Sequence, residues 1–156
     1  MTEQDFLDRI SFIAESNIVD INMRDVHFQS ARETYFFHDV LDRLLTETGK
    51  TWFFITCFSG CTISEEAAHQ FSMRRTRTPT RLCRGAVRYG ASAELDRAMT
   101  SLESNSVATR ESFATRDEAM QKIEEMRAEG DNLLRHGVNF IECLDTLTLE
   151  ERTGYV

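Results

Sequence analysis

Proline is almost absent from this chain of 156 residues: Pro79 is the only one, and glycine occurs seven times. So few breakers leave little room for long loops or linkers. Lysine is scarce as well, with two residues against sixteen arginines, a bias that often reflects a GC-rich genome rather than a need for guanidinium chemistry. Long apolar runs are missing. The longest uncharged stretch, residues 51–64 (TWFFITCFSGCTIS), falls short of the roughly 20 apolar residues that a spanning helix requires, so no membrane span is expected. The first ten residues, MTEQDFLDRI, have neither a basic n-region nor an apolar h-region. No secretory signal is therefore expected, and a cytoplasmic location is. An excess of positive charge is also missing. The formal net charge is −8, and an acidic field repels phosphate backbones, which argues against nucleic-acid binding.

What is present fits one globular domain. Hydrophobic residues make up 41% and charged residues 28%, enough to build a core and too apolar for disorder. Four cysteines, Cys57, Cys61, Cys83 and Cys143, are expected as free thiols in a reducing compartment, three of them packed as small hydrophobes.

Periodicity predicts alternating strands and helices. Val19, Ile21 and Met23 alternate with polar residues, as a strand does, and Val26 and Phe28 alternate in the opposite phase, which requires a bend or bulge near Arg24-Asp25. Residues 6–14 fit either period, and a hairpin through Ser16-Asn17 is favoured. A helix is predicted from about Ala31 to Thr48, opened by the capping box Ser30-Ala-Arg-Glu33, striped by Phe37, Val40, Leu41, Leu44 and Leu45, and stopped by Gly49. Thr51 to Phe58 is apolar at nearly every position and reads as a central strand buried on both faces. After the turn Ser59-Gly60-Cys61, Ser64 caps a second helix that Pro79 ends. Residues 82–89 form a strand with Cys83, Gly85, Val87 and Tyr89 on one face. A third helix runs to about Ser104, residues 106–113 make a short edge strand, and Thr115-Arg-Asp-Glu118 opens a fourth helix stopping near Gly130. Residues 1–130 are thus one domain. Residues 131–156 are expected as a C-terminal arm packing on it or on a second copy in a homodimer. Such an order favours a largely parallel sheet with right-handed crossovers.

A hairpin, a long helix, a hydrophobic strand ending in a small-residue turn, and then Ile-Ser-Glu-Glu-Ala opening the next helix resemble the STAS, or SpoIIAA-like, family. The resemblance covers about residues 9–128 and rests on element order and on ITCFSGCTISEEA. It implies a mixed, mostly parallel β-sheet with an N-terminal hairpin and about four helices. It also implies a bacterial regulatory domain akin to the anti-sigma-factor antagonists or to uncharacterised lipid-binding-like relatives. In the antagonists the turn before the second helix carries a phosphorylatable serine in an Asp-Ser-x-Gly context. The matching residues here are Ser64, Glu65, Glu66 and Ala67, so the serine's place is taken by a glutamate whose charge could imitate a phosphoserine.

Several features could carry function. Residues 74–88 hold Arg74, Arg75, Arg77, Arg81, Arg84 and Arg88 and no acid, which leaves 12 basic and 26 acidic groups elsewhere, a balance of −14. Guanidinium clusters capture carboxylate or phosphate bidentately, and they also serve as solvated helix ends. Ser59, Gly60, Ser64 and Glu65 lie where a strand's C-terminal end meets a helix, the edge at which open α/β sheets bind ligands. The alternative for them is simple turn and cap chemistry. Cys57 and Cys61 are spaced C-x3-C, with Cys83 and His69 as conceivable co-ligands of zinc, but core packing is the better expectation. His27, His38, His69 and His136 fall in no HExxH-type pattern, and no serine sits in a nucleophile elbow. No catalytic residue, metal or cofactor is expected. The expectation is a regulatory or interaction module binding a protein partner or a small anionic ligand at the 59–66 loop and the arginine strip. The alternatives are a carrier for a lipid-like or acidic small molecule and, third, a Cys- or His-dependent enzyme.

Overall fold

The computed structural model describes residues 1–70, 82–102 and 112–135. The chain begins with a short helix α1 (Glu3–Leu7) and a hairpin of β1 (Ile10–Ile13) and β2 (Ile18–Asn22). Strand β3 (His27–Phe28), helix α2 (Ala31–Thr48), strand β4 (Trp52–Cys57) and strand β5 (Thr62–Ile63) follow. Residues 65–70 are helical (α3), and β6 (Cys83–Tyr89), α4 (Ala93–Leu102), β7 (Ser112–Phe113) and α5 (Arg116–Arg135) complete the described part. The protein is thus mixed α/β with five helices among the described residues, one more than the sequence predicts. None of them is long and apolar enough to cross a membrane.

The main sheet has the order β1-β2-β4-β6-β7, antiparallel between β1 and β2 and parallel elsewhere. Successive strands lie side by side and step in one direction. Right-handed crossovers then carry α2, α3 and α4 to the same face. The core agrees. Val19, Ile21 and Trp52 cluster with Phe37, Leu41 and Leu45 of α2, Ala67 of α3, and Leu95 and Met99 of α4. The opposite face is covered by α5, whose Ala119 and Ile123 pack on Ile18, Phe53, Ile55 and Val87. Strand β4 is therefore central and buried on both faces, as its unbroken apolar run predicts. Fully burying a side chain such as Phe53 or Ile55 contributes on the order of 2 kcal/mol.

Local signals account for most boundaries. Asn17 adopts φ 54 in the hairpin turn, where asparagine tolerates the left-handed region. The bend at Arg24-Asp25 is real: Asp25 has φ 58, and the chain leaves the main sheet there to pair β3 with β5 in a separate parallel ribbon. Helix α2 has the expected bounds. The Ser30 hydroxyl accepts from the Glu33 N–H at 3.4 Å, but the Glu33 carboxylate accepts from Gln29 N–H at 2.8 Å, one residue before the cap. Gly49 closes the helix with φ 64.

Four expectations need correction. Residues 6–14 divide between two elements, and α1 is the additional helix. Its cap is a Thr2–Asp5 box, and its Phe6 is buried against Phe28, Phe36 and Phe37. Helix α5 does not stop near Gly130 but continues to Arg135. An interior glycine costs only about 1 kcal/mol relative to alanine, too little to end a helix already seated on the sheet. A short strand, β5, follows the Ser59-Gly60-Cys61 turn. Finally, Cys83 does not share a face with Gly85, Val87 and Tyr89. Trp52 pairs with Cys83 but Phe53 pairs with Gly85, so Arg84 is an extra residue, and the bulge reverses the alternation before it. The end of α3 expected at Pro79, the start of the edge strand and the C-terminal arm beyond Arg135 lie outside the described residues.

Candidate functional site

The C-terminal ends of β2, β4 and β6 meet at one rim. Backbone bonds extend the ladder past the strands: Met23 N–H donates to Cys57 O, Phe58 N–H to Tyr89 O and Gly90 N–H to Phe113 O, at 2.9, 2.9 and 3.0 Å. Two glycines let the loops close on one another. Gly60 has φ 68, and a Cβ there would lie 2.1 Å from Asp25 Oδ1. Gly90 has φ 76, and a Cβ there would lie 2.3 Å from Ser59 Oγ. Both need glycine for conformation and for space.

A polar cluster occupies this rim on the α5 side. The neutral Cys57 thiol donates to Ser59 Oγ at 3.6 Å. Burial opposes its ionisation, yet hydrogen bonds from the Ser59 backbone and hydroxyl and from the Tyr89 hydroxyl, aided by the Arg24 charge, hold its pKa below the ordinary thiol value. Tyr89 moves the other way, pushed up to about 12 by burial first and then by its bond to Cys57 and the nearby Asp20 charge. Asp20 itself pairs with Arg116 of α5 at 2.9 Å, and that bond raises the arginine's pKa further.

Cys61 has a different environment. It packs in the cluster on the α2 side, and burial pushes its thiol up to about 12. Cys57 and Cys61 thus belong to opposite sides of the sheet, and Cys83 sits at the other end of β6. The Cys57, Cys61, Cys83 and His69 constellation is not assembled. Among the described residues no group of three His, Cys, Asp or Glu side chains could hold a metal ion.

A cleft of about 770 Å³ opens between α3 and α4. Glu65, Glu66 and His69 stand on its α3 wall, Ser92 and Glu94 on its α4 wall, and Ile63 and Leu95 give it apolar surface. Among the described residues its lining carries three carboxylates, Glu65, Glu66 and Glu94, and neither arginine nor lysine.

The structure brings together some of the residues singled out in the sequence and separates others. Ser59 and Gly60 form the rim turn, and Glu65 lines the cleft. Ser64 is the α3 cap: its Oγ accepts from Ala67 N–H at 3.2 Å and donates to Gln29 O at 3.0 Å, which ties α3 to the loop before α2. Arg74, Arg75, Arg77 and Arg81 lie outside the described residues. Arg84 is at the start of β6, its guanidinium 4.8 Å from the Phe53 ring centroid. A strand of that length puts it roughly 20 Å from the Ser59 rim, at the opposite edge. Arg88 is 1% exposed and donates from Nε to Asp96 Oδ1 of α4 at 3.1 Å, so it is a core residue and not a surface cation. Glu66, at the end of the 59–66 loop, lines the cleft as well, whereas Tyr89, Asp20, Arg116 and the cleft's Glu94 escaped the sequence reading. The one local hint was the Gly90-Ala-Ser92 turn after a strand.

Compared with known proteins, the chain matches no family model, and neither a curated protein nor a solved structure is significantly similar to it.

Proposed function

We propose that this chain is a non-enzymatic interaction module of STAS-like, SpoIIAA-like type that docks a protein partner at the C-terminal rim of its sheet. The hairpin followed by consecutive parallel strands supports the fold-level part of this reading. The α3/α4 cleft is the observation that carries the functional part, because the 59–66 loop leads directly into its wall. A basic side chain suits it: an aliphatic stem against Ile63 and Leu95, and a charged head among Glu65, Glu66 and Glu94. The partner is therefore expected to present lysine or arginine to this surface.

The cleft's volume favours a second reading, a small-molecule carrier, since ligand pockets run from about 300 to 1,000 Å³. Its ligand would be cationic rather than acidic. A photo-crosslinking residue at position 66, compared with one at the exposed position 47 on α2, separates the readings in cells. A discrete protein adduct from position 66 alone, lost when Glu65 and Glu94 are changed to lysine, is the expected result. Identical adducts from both positions would remove the docking reading. A small molecule retained in native mass spectra, and displaced by the same two substitutions, would favour the carrier.

A further inference from the structure

At the opposite edge of the sheet two guanidinium groups share one aromatic ring. The Arg84 and Arg127 carbons lie 4.8 and 5.0 Å from the Phe53 centroid, so the two charges are within about 10 Å of one another. Phe53 itself is buried. Arg127, on α5, is held in place: it donates to the Ser16 carbonyl of the hairpin turn and pairs with Glu124 at 3.4 Å. That glutamate is 60% exposed and neutralises little. Arg84 has no carboxylate partner among the described residues and is half-buried. The π face attracts both cations but cancels neither charge, and they repel each other. Arg84 keeps its planar fork of N–H donors, which suits an oxyanion bidentately, while Arg127 has Nη2 on the Ser16 carbonyl and Nε on Glu124 and so brings chiefly its charge. Among the described residues a Cβ at Gly130 would meet only Arg84 Nη2, at 3.8 Å.

We infer that Arg84 and Arg127 form a binding site for a phosphate dianion, free or as a phosphomonoester, at the N-terminal edge of the sheet. Two fixed positive charges match a dianion, whereas a carboxylate would leave one unanswered. The hairpin turn, the β6 bulge and α5 each supply a part, so the site exists only in the folded chain. It is independent of the docking cleft at the other edge.

The test is a titration with inorganic phosphate, and in a second arm with glycerol phosphate, at constant ionic strength. The arginine Nε–H signals are followed by nitrogen-15 NMR. Saturable shifts at Arg84 and Arg127 are expected with at least one phosphate and not with chloride. R84Q and R127Q should each weaken binding about tenfold or more, and R97Q on α4 should not. R84K, which keeps the charge without the fork, should bind more weakly than wild type, and it stands in should R84Q fail to give a folded spectrum. Phosphate shifts that do not saturate, or that persist unchanged in the folded R84Q and R127Q proteins, would overturn the site.

Discussion

Replacing Gly90 with alanine would place a methyl group 2.3 Å from Ser59 Oγ and 3.3 Å from the Ser59 backbone nitrogen. Two costs follow. The left-handed backbone, φ 76, disfavours any Cβ by about 1–2 kcal/mol. The contact with Ser59 adds to this. Its hydroxyl escapes by rotating, but the backbone nitrogen belongs to the Phe58–Cys61 turn and gives way only by moving that turn. A total of about 2–3 kcal/mol is expected, which lowers the melting temperature by about 5–10 °C in a chain of this size. Rotation of the Ser59 hydroxyl also removes one of the bonds that hold the Cys57 pKa down, so that pKa should rise. A double-mutant cycle separates the costs. In a Ser59→Ala background the hydroxyl is already gone, and Gly90→Ala should then cost about 1 kcal/mol less than it does alone. Denaturant unfolding and a thiolate absorbance titration, both in a Cys61→Ala, Cys83→Ala, Cys143→Ala background, read the two effects. Full additivity in the cycle, with the Cys57 titration unmoved by Gly90→Ala, would refute the Gly90–Ser59–Cys57 linkage.

Two further outcomes follow from the same geometry. Cys61 is raised to about 12 in the folded protein from an ordinary value of 9.0, so the unfolded chain ionises first. The stability it contributes is complete below pH 9 and is lost as pH rises toward 12, at up to about 1.4 kcal/mol per pH unit. Tyr89 has the same sign but begins only above its ordinary 10.0, so the slope between pH 9 and 10 should flatten in Cys61→Ala; an unchanged slope in urea unfolding at those two values would contradict the burial argument. Gly130→Ala should stabilise the protein by about 1 kcal/mol, because a Cβ there makes only ordinary contact with Arg84 Nη2 inside a continuous helix. A lower melting temperature in that variant would mean that α5 is broken at this position.

The parts legible in the sequence are those decided by neighbours along the chain. Ser30 and Gly49 bound α2, Asn17 turns the hairpin, and TWFFITCF needs both faces covered wherever it lies. The 59–66 loop was legible for the same reason, since a buried strand followed by a tight turn and a capped helix must emerge at a rim. Helix α1 was hidden because its cap uses aspartate at the third position and its burial depends on Phe28, Phe36 and Phe37, which arrive later. The partners of Cys57 were hidden because they follow from register: Tyr89 stands opposite Cys57 only through the β4–β6 pairing, and Arg116 reaches Asp20 across 96 positions.

Two arginines of the strip, Arg84 and Arg88, show how neighbours in a charge run part company in space. Arg84 and Arg88 are four residues apart on one strand, and strict alternation would place them on the same face. The extra residue between Cys83 and Gly85 undoes this. Arg84 turns to Phe53 and α5, whereas Arg88 turns to Asp96 of α4 and is buried. One bulge therefore sends one of the strip's two described arginines into the core and leaves the other beside Arg127, a neighbour that nothing in residues 74–88 announces. The same separation sets acid against base across the sheet. Carboxylates gather around the cleft where the strands end, and the Arg84 and Arg127 guanidiniums over Phe53 sit where they begin. The two proposed sites would therefore sort ligands by charge before any shape is matched.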